Sequence, residues 1–322
     1  MTLENPSTAS SPALAPVAAA LAHLRRQAAG VVIGQDAVLE FCCLGLLCGG
    51  HMLLEGPPGV AKTLAVRLFA RIVDLPYQRV QGTPDLLPGD ITGGDVLTPE
   101  GRFSFRPGPV FASILLVDEV NRMPPRTQAA LLEAMEERQV TLNRESRPLP
   151  PHFTVFATQN PLEFEGTYPL PEAQLDRFLM KLTVPYPDAE AEAAILSRKP
   201  LALGEVSLEP LPATALAAAQ AALAGIRVEP TVVSYATAVI RQTREWPALT
   251  LGASPRAGAA MLQVSRALAA ADGRTYVLPD DIKAAAPPVL RHRLRPRAEA
   301  EMEGQTADSI LAAVLDAVPV PR

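Results

Sequence analysis

An apolar segment, Met52 to Leu54, runs through Glu55 into Gly56-Pro57-Pro58-Gly59-Val60-Ala61-Lys62-Thr63, and a helix-forming stretch from Leu64 to Ile72 follows at once. A strand, a loop of small and rigid residues and a helix, in that order, direct backbone N–H groups and a helix N-terminus at one point in space, which suits a polyphosphate. In such a loop Lys62 supplies a charge for the β/γ-phosphates and the Thr63 hydroxyl is a ligand for Mg²⁺. Ala61 stands where the motif usually carries its second glycine. An ordinary tight turn would need none of these residues together.

The chain is long enough for two domains, or for one large domain with a satellite, at 322 residues. With 48% apolar and 20% charged residues it has ample core material, and a net charge of −5 argues against general nucleic-acid binding. No apolar run approaches membrane-spanning length. Residues Met1 to Pro16 are rich in Ser, Ala and Pro and lack the basic and apolar regions of a signal peptide, so a disordered tail and a cytoplasmic location are expected. The cysteines Cys42, Cys43 and Cys48 sit in one apolar run without paired spacing and are expected to be buried thiols.

In chain order, helices are expected over Val17 to Ala29 and Asp36 to Leu47, with strands at His51 to Glu55 and Tyr77 to Gln81. Two hairpins follow, one around Thr98-Pro99-Glu100-Gly101 (about residues 94–107) and one turning at Arg144-Glu145 (about 138–150) with exposed cations Arg138, Arg144 and Arg147. Ile114 to Val117 is a continuous apolar run, the pattern of a strand buried on both faces of a parallel sheet. Arg126 to Glu137 is a helix, and Phe153 to Ala157 and Phe178 to Val184 bring the strands to five. The alternation predicts a three-layer α/β domain over residues 17–185. Pro185-Tyr186-Pro187 marks a boundary. Beyond it the pattern is all-α over 186–295, with residues 296–322 a tail that carries at most one short helix, Ser309 to Val318.

Asp118 and Glu119 follow the buried strand directly, where side chains of an open α/β sheet face the ligand crevice. Asp118 there would hold Mg²⁺, directly or through water, and Glu119 would polarise an attacking water. Asn160 closes the next strand, where a neutral amide can orient water or the γ-phosphate, or merely form an Asn-Pro turn. Arg177 precedes the last strand and can reach a neighbour's nucleotide or pair with Asp176 or Glu172. Arg256, opening a helix in the second unit, can report the γ-phosphate or serve as a surface charge.

Together these stretches resemble the AAA+ ATPases, and within them the MoxR family, from about Val31 to Arg293. Gly56 to Thr63 is similar to the Walker A loop of that family, in which Ala before the Lys is usual. Asp118-Glu119-Val120-Asn121-Arg122 resembles Walker B, Asn160 sensor 1, Arg177 the arginine finger, and Gly252 to Ala257, with Arg256, sensor 2. Val32-Ile33-Gly34-Gln35 is similar to the adenine-pocket segment, so Ile33 and Gly34 join Gly56, Pro57, Pro58, Gly59, Val60, Ala61, Lys62, Thr63 and Leu64 as expected nucleotide contacts. The hairpins match the helix-2 insert and the pre-sensor-1 hairpin of the clade.

The resemblance implies an AAA+ P-loop domain with a five-stranded parallel sheet followed by an all-α lid, binding ATP and Mg²⁺ between them. It implies a ring, a hexamer, in which an arginine acts in trans; Arg122 and Arg126 fall near the same expected interface as Arg177, and the choice among them stays open. Gln81, ending the second strand, is a candidate for restraining Glu119 until the site is complete. A partner with a von Willebrand factor A domain and a remodelled protein client are implied by the same resemblance. The alternatives are a DNA motor drawing on Arg138, Arg144 and Arg147, a magnesium-chelatase-type subunit, and a scaffold that binds ATP without turning it over.

Overall fold

The computed structural model describes residues 14–99, 101–161, 166–197 and 206–321. Residues 1–13 of the expected tail and Glu100 of the first hairpin lie outside them. Two compact units are present: Leu24–Ala213, and a second made of the described residues up to His23 together with Thr214 onward.

The first unit begins within α1 (Ala15–Ala28) and continues through α2 (Asp36–Leu47), β1 (Met52–Glu55), α3 (Lys62–Ile72), β2 (Tyr77–Gln81), α4 (Pro88–Thr92), β3 (Gly93–Leu97), β4 (Phe103–Pro107), β5 (Ile114–Asp118), α5 (Pro125–Glu137), β6 (Gln139–Leu142), β7 (Glu145–Pro148), β8 (Thr154–Gln159), α6 (Glu172–Leu175), β9 (Met180–Thr183) and α7 (Ala189–Ser197). Five strands form one parallel sheet in the order β2-β5-β8-β1-β9. Sequence and position agree: interior strand β5 is buried throughout, while edge strand β2, Tyr-Gln-Arg-Val-Gln, is mostly polar and buries Val80 alone. On β1, Met52 lies against Gly45 of α2, whereas Leu53 joins Leu115, Val117, Val155 and Ala157 in a core with Leu131, Leu132 and Met135 of α5. Successive side chains of a strand face opposite sides, so the sheet is covered on both faces and the three layers follow. Cys42 and Cys43 are buried free thiols in α2, and Cys48, also free, is partly buried.

The expected limits need three corrections. The α/β unit does not stop at 185. It runs to Ala213, because Gln35 donates to the Pro185 carbonyl at 2.8 Å, Leu211 N donates to Ile72 O at 2.6 Å, and Gly34 packs so closely on Pro187 and Ala191 that a Cβ there would meet Ala191 Cβ at 2.7 Å. Residues 14–16 are structured, since Leu14 is buried and α1 opens at Ala15. The C-terminal stretch is part of the helical unit.

That second unit holds α8 (Ala213–Leu223), α9 (Pro230–Glu245), β10 (Leu249–Leu251), α10 (Pro255–Ala271), α11 (Pro279–Leu290), β11 (Arg295–Pro296), α12 (Ala298–Met302) and α13 (Ala307–Ala317). It is helical except for the short antiparallel pair β10-β11. α13 packs on α9 and α11 through buried Ile310, Leu311 and Val314, a stripe that the surrounding acidic and Ala-rich composition obscures. Arg274 grips Asp281 with two donors at 2.7 Å, and Asp281 also accepts from Leu278 N at the start of α11.

The two hairpins, β3-β4 and β6-β7, lie in register as expected. Asn143 and Arg144, both at positive φ, make the two-residue turn of the second. Two of its three cations are engaged, and Arg144 is exposed at the turn. Arg138 donates to Phe153 O and Gly49 O, and Arg147 sits 4.1 Å over the Phe105 ring while pairing with Glu145. Asn143 Nδ2 donates to Asp95 at 2.6 Å, so the hairpins brace each other.

His51 is buried between β8 and α5. Its Nδ1 accepts from Val155 N at 3.0 Å and its Nε2 meets Met135 O at 3.2 Å, a pairing that only the neutral ring satisfies. Burial first, and Arg138 second, push its pKa down to about 3. The unfolded chain therefore takes up a proton below about pH 6.5 that the folded chain refuses, and stability falls as pH falls. Between pH 6.5 and pH 5 this site should remove about 2 kcal/mol. Urea unfolding of wild type and His51→Gln at both pH values measures it; an identical pH slope in the two proteins would assign the loss elsewhere.

Candidate functional site

The loop between β1 and α3 owes its path to two glycines and one strained alanine. Gly59 has φ +83, and at Gly56 a Cβ would lie 2.3 Å from the Val184 carbonyl oxygen. Ala61 adopts the left-handed conformation, φ 65, as N-cap of α3. Glycine would take that conformation freely, and alanine holds it at a cost of about 1 kcal/mol. Lys62 Nζ curls back over the loop to the carbonyls of Gly56 and Pro57.

At the C-terminal ends of β1, β5 and β8, and beside the end of β2, the side chains converge. A cleft of about 460 Å³ is lined by the loop from Pro58 to Leu64, by Arg67, Arg79 and Gln81, and by Asp118, Glu119, Thr158, Gln159 and Asn160. Thr63 Oγ1 lies 3.1 and 3.3 Å from the two Asp118 carboxylate oxygens. Ligands of an octahedral cation bound at about 2.1 Å are about 3 Å apart when adjacent, so this pair suits Mg²⁺. Among the described residues there is no group of three or more His, Cys, Asp or Glu able to hold a metal. A cation here would therefore take Thr63, Asp118 and oxygens of ligand or water, the donor set Mg²⁺ favours.

Glu119 stands in the left-handed conformation as well, φ 56 and ψ 53, which turns its side chain off the end of β5. Such a conformation persists when the surroundings over-determine it, and here they do. Its N–H donates to Thr158 Oγ1 at 2.9 Å, and that hydroxyl donates to Asp118 Oδ1 at 3.1 Å. Its carboxylate accepts from Gln81 Nε2 at 3.0 Å and from Arg122 at 3.2 Å. Gln81 thus sits where the sequence led one to look for a restraint on Glu119. Asn160 is 93% buried at the end of β8, on the cleft wall.

Five expected site residues of the first unit do not line this cleft: Gly56 and Pro57, whose carbonyls accept from Lys62, and Ile33, Gly34 and Arg177. Ile33 and Gly34 are not on the wall of this cleft; Gly34 faces Pro187 and Ala191. Arg177 is also outside it, held by Glu136 at 2.6 Å and by the Ala173 carbonyl, in place of Asp176 or Glu172. Arg126 is exposed at the start of α5. In the helical unit, Arg256 is exposed in the first turn of α10, whose N-cap Ser254 accepts from Ala257 N.

Two residues that the sequence reading passed over are central. Arg79 pairs with Asp118 at 2.7 Å and donates to Gln81 at 2.9 Å. The i, i+2 relation to Gln81 on one strand face was the signal available for it. Thr158, 2% exposed, bridges the two acids. Thr158→Val keeps the shape and removes the hydroxyl, leaving a buried N–H and a carboxylate oxygen each short of a partner. A loss of about 1–3 kcal/mol in stability is expected, together with a fall in any turnover of at least about tenfold, since Glu119 loses its anchor. Denaturant unfolding and phosphate release measure the two effects.

Comparison with known proteins gives the following. The ATPase family associated with various cellular activities (AAA) matches residues 51–180, and the AAA lid domain matches residues 241–314, which carries the lid into the stretch expected to be tail. The chain is 42% identical over 305 residues, 91% of its length and 80% of the relative's, to "Chaperone MoxR1" of Mycobacterium tuberculosis (strain ATCC 25618 / H37Rv). It is 41% identical over 304 residues, 94% of either chain, to "Uncharacterized protein YeaC" of Bacillus subtilis (strain 168). A crystal structure of a candidate ATPase from Cytophaga hutchinsonii superposes with a TM-score of 0.87 at 36% identity, covering 96% of this chain and 97% of that one. No helix among the described residues is long and apolar enough to cross a membrane.

Proposed function

Because the chain belongs to the MoxR family of AAA ATPases, we propose that it binds Mg·ATP in the cleft at the end of β5 and hydrolyses it to ADP and phosphate. The observation that carries this is the convergence of Lys62, Thr63, Asp118, Glu119 and Asn160 on one cleft from three separate segments of chain. Backbone N–H groups of the Gly56–Thr63 loop and the N-terminus of α3 receive the phosphates, and Lys62 exchanges its loop carbonyls for phosphate oxygens. Thr63 and Asp118 hold Mg²⁺, which supplies neutralisation of charge on the β/γ-phosphates. Glu119 orients a water and accepts its proton as the water attacks, while Asn160 donates toward that water or the γ-phosphate without competing for protons.

Assembly into a ring, a hexamer by family, completes the site with an arginine of a neighbouring subunit, for which Arg177 is our assignment. Arg256 in the helical lid senses the γ-phosphate. The energy remodels or activates a protein client, with a von Willebrand factor A domain protein as partner; the support for both is the family. The nucleic-acid motor is disfavoured because, of the three hairpin cations, Arg138 and Arg147 are engaged within the fold and Arg144 is the exposed one.

The expected result is an ATPase rate per subunit that rises steeply with protein concentration as oligomers form, because a cation supplied in trans can be worth several orders of magnitude. Phosphate release measured alongside sedimentation velocity tests it. A rate per subunit that stays flat while the chain passes from monomer to oligomer would remove the trans arrangement, and no nucleotide binding at all would remove the ATPase reading.

A further inference from the structure

Asp118 is held by partners of different mobility. Its side chain is 7% exposed, and Oδ1 accepts from the hydroxyls of Thr63 and Thr158, each at 3.1 Å. Oδ2 accepts from Arg79 Nε at 2.7 Å, with Thr63 more distant at 3.3 Å. Arg79 is itself 49% exposed on edge strand β2. The carboxylate is therefore fixed and the guanidinium is the partner able to leave. Oδ2, the oxygen with fewer fixed donors, is also the one a cation would find most open.

Arg79 has a second grip. Its NH2 group donates to Gln81 Oε1 at 2.9 Å, and Gln81 Nε2 donates to Glu119 Oε2 at 3.0 Å. A guanidinium only donates. While it is in place, the Gln81 amide must turn its oxygen toward Arg79 and its NH2 toward Glu119. The Glu119 carboxylate, which only accepts, demands the same orientation, so Arg79 gives the Gln81 amide a second hold, and Arg79 is in turn held by Asp118.

We propose that Arg79 is a built-in competitor of the divalent cation for Asp118, and that its departure when the cation binds removes one of the two holds on the Gln81 amide that donates to Glu119. This rests on the reading of Asp118 as a Mg²⁺ residue. A hydrated Mg²⁺ demands rigid octahedral coordination and repels a guanidinium on the same carboxylate, so the two cations exclude each other. Arg79 is a positioning residue: it keeps Asp118 neutralised and steadies Gln81 before the metal arrives, and metal binding is the event that displaces it.

Mn²⁺ titrated into protein saturated with ADP, followed by electron paramagnetic resonance, tests this on wild type, Arg79→Met, Arg79→Gln and Arg79→Lys. Mn²⁺ should bind about tenfold tighter in the Met and Gln variants and within about twofold of wild type in the Lys variant. ADP affinity in EDTA should stay within about twofold throughout. In ATP hydrolysis, the half-saturating Mg²⁺ concentration should fall about tenfold in Arg79→Met while kcat changes less than about threefold. Unchanged or weaker Mn²⁺ binding in both neutral variants, or a kcat collapse at saturating Mg²⁺, overturns the proposal. The underlying reading has its own control: Asp118→Asn should weaken Mn²⁺ binding, and if it does not, Asp118 is not the metal residue and both ideas fall together.

Discussion

Glu119→Gln is expected to bind Mg·ATP within about threefold of wild type and to turn it over about 10³-fold more slowly. The substitution keeps size and shape. It also keeps an oxygen able to accept from Gln81 and Arg122, both of which reach Glu119 Oε2 in the wild-type chain. The N–H that Thr158 anchors belongs to the backbone and is untouched, so the left-handed turn at residue 119 should survive. What disappears is the carboxylate that takes the proton of the attacking water. General-base groups of this kind contribute about 10²–10⁴ in rate. Fluorescent-nucleotide binding and steady-state phosphate release separate the two quantities, and full turnover in this variant would withdraw the role given to Glu119. The same variant, loaded with ATP, is the natural bait for the proposed von Willebrand factor A partner and client.

Arg177→Ala is expected to lower kcat about 10³-fold or more with ATP affinity little changed, the scale of an arginine delivered in trans. A structural role makes a different prediction. Arg177 is ion-paired with Glu136 inside its own subunit, each side chain between a quarter and a third exposed. Loss of such a partly exposed pair is worth about 1 kcal/mol of stability at most, and Glu136→Gln should mimic it. Mixing decides between the two. Rings assembled from Arg177→Ala and Glu119→Gln subunits contain interfaces where an intact Glu119 meets an intact Arg177, so two inactive proteins should regain part of the wild-type rate together. No recovery on mixing would move the trans role to Arg126 or Arg122. Arg122 begins at a disadvantage, because it already pairs with Glu119 of its own chain at 3.2 Å.

The legible part of the fold was the part governed by local physics. The β5 run could be recognised as a central strand because burial on both faces excludes polar residues, and Asp118-Glu119 could be placed at its mouth by position alone. α2 and β2 have the limits expected from the sequence, Asp36–Leu47 and Tyr77–Gln81. The C-terminal helix α13 was underrated because its apolar stripe acquires meaning only against α9 and α11, far away in the chain. The boundary at Pro185 was set too early for a similar reason: the bonds that tie 186–213 to the α/β unit run to Gln35, Gly34 and Ile72.

By itself the sequence determined the phosphate loop, the acids that face it, the alternation that demands a covered parallel sheet, and the family. Each is a short-range pattern whose physical requirement is met within a few residues. Only the tertiary structure decided how the acids are held. Strand order β2-β5-β8 sets Arg79 and Gln81 on one flank of Asp118 and Glu119 and Thr158 on the other, and these groups come from segments about 40 residues away on either side. Hydrogen bonds of 2.7–3.1 Å depend on strand register, which follows from how the apolar faces of distant strands pack.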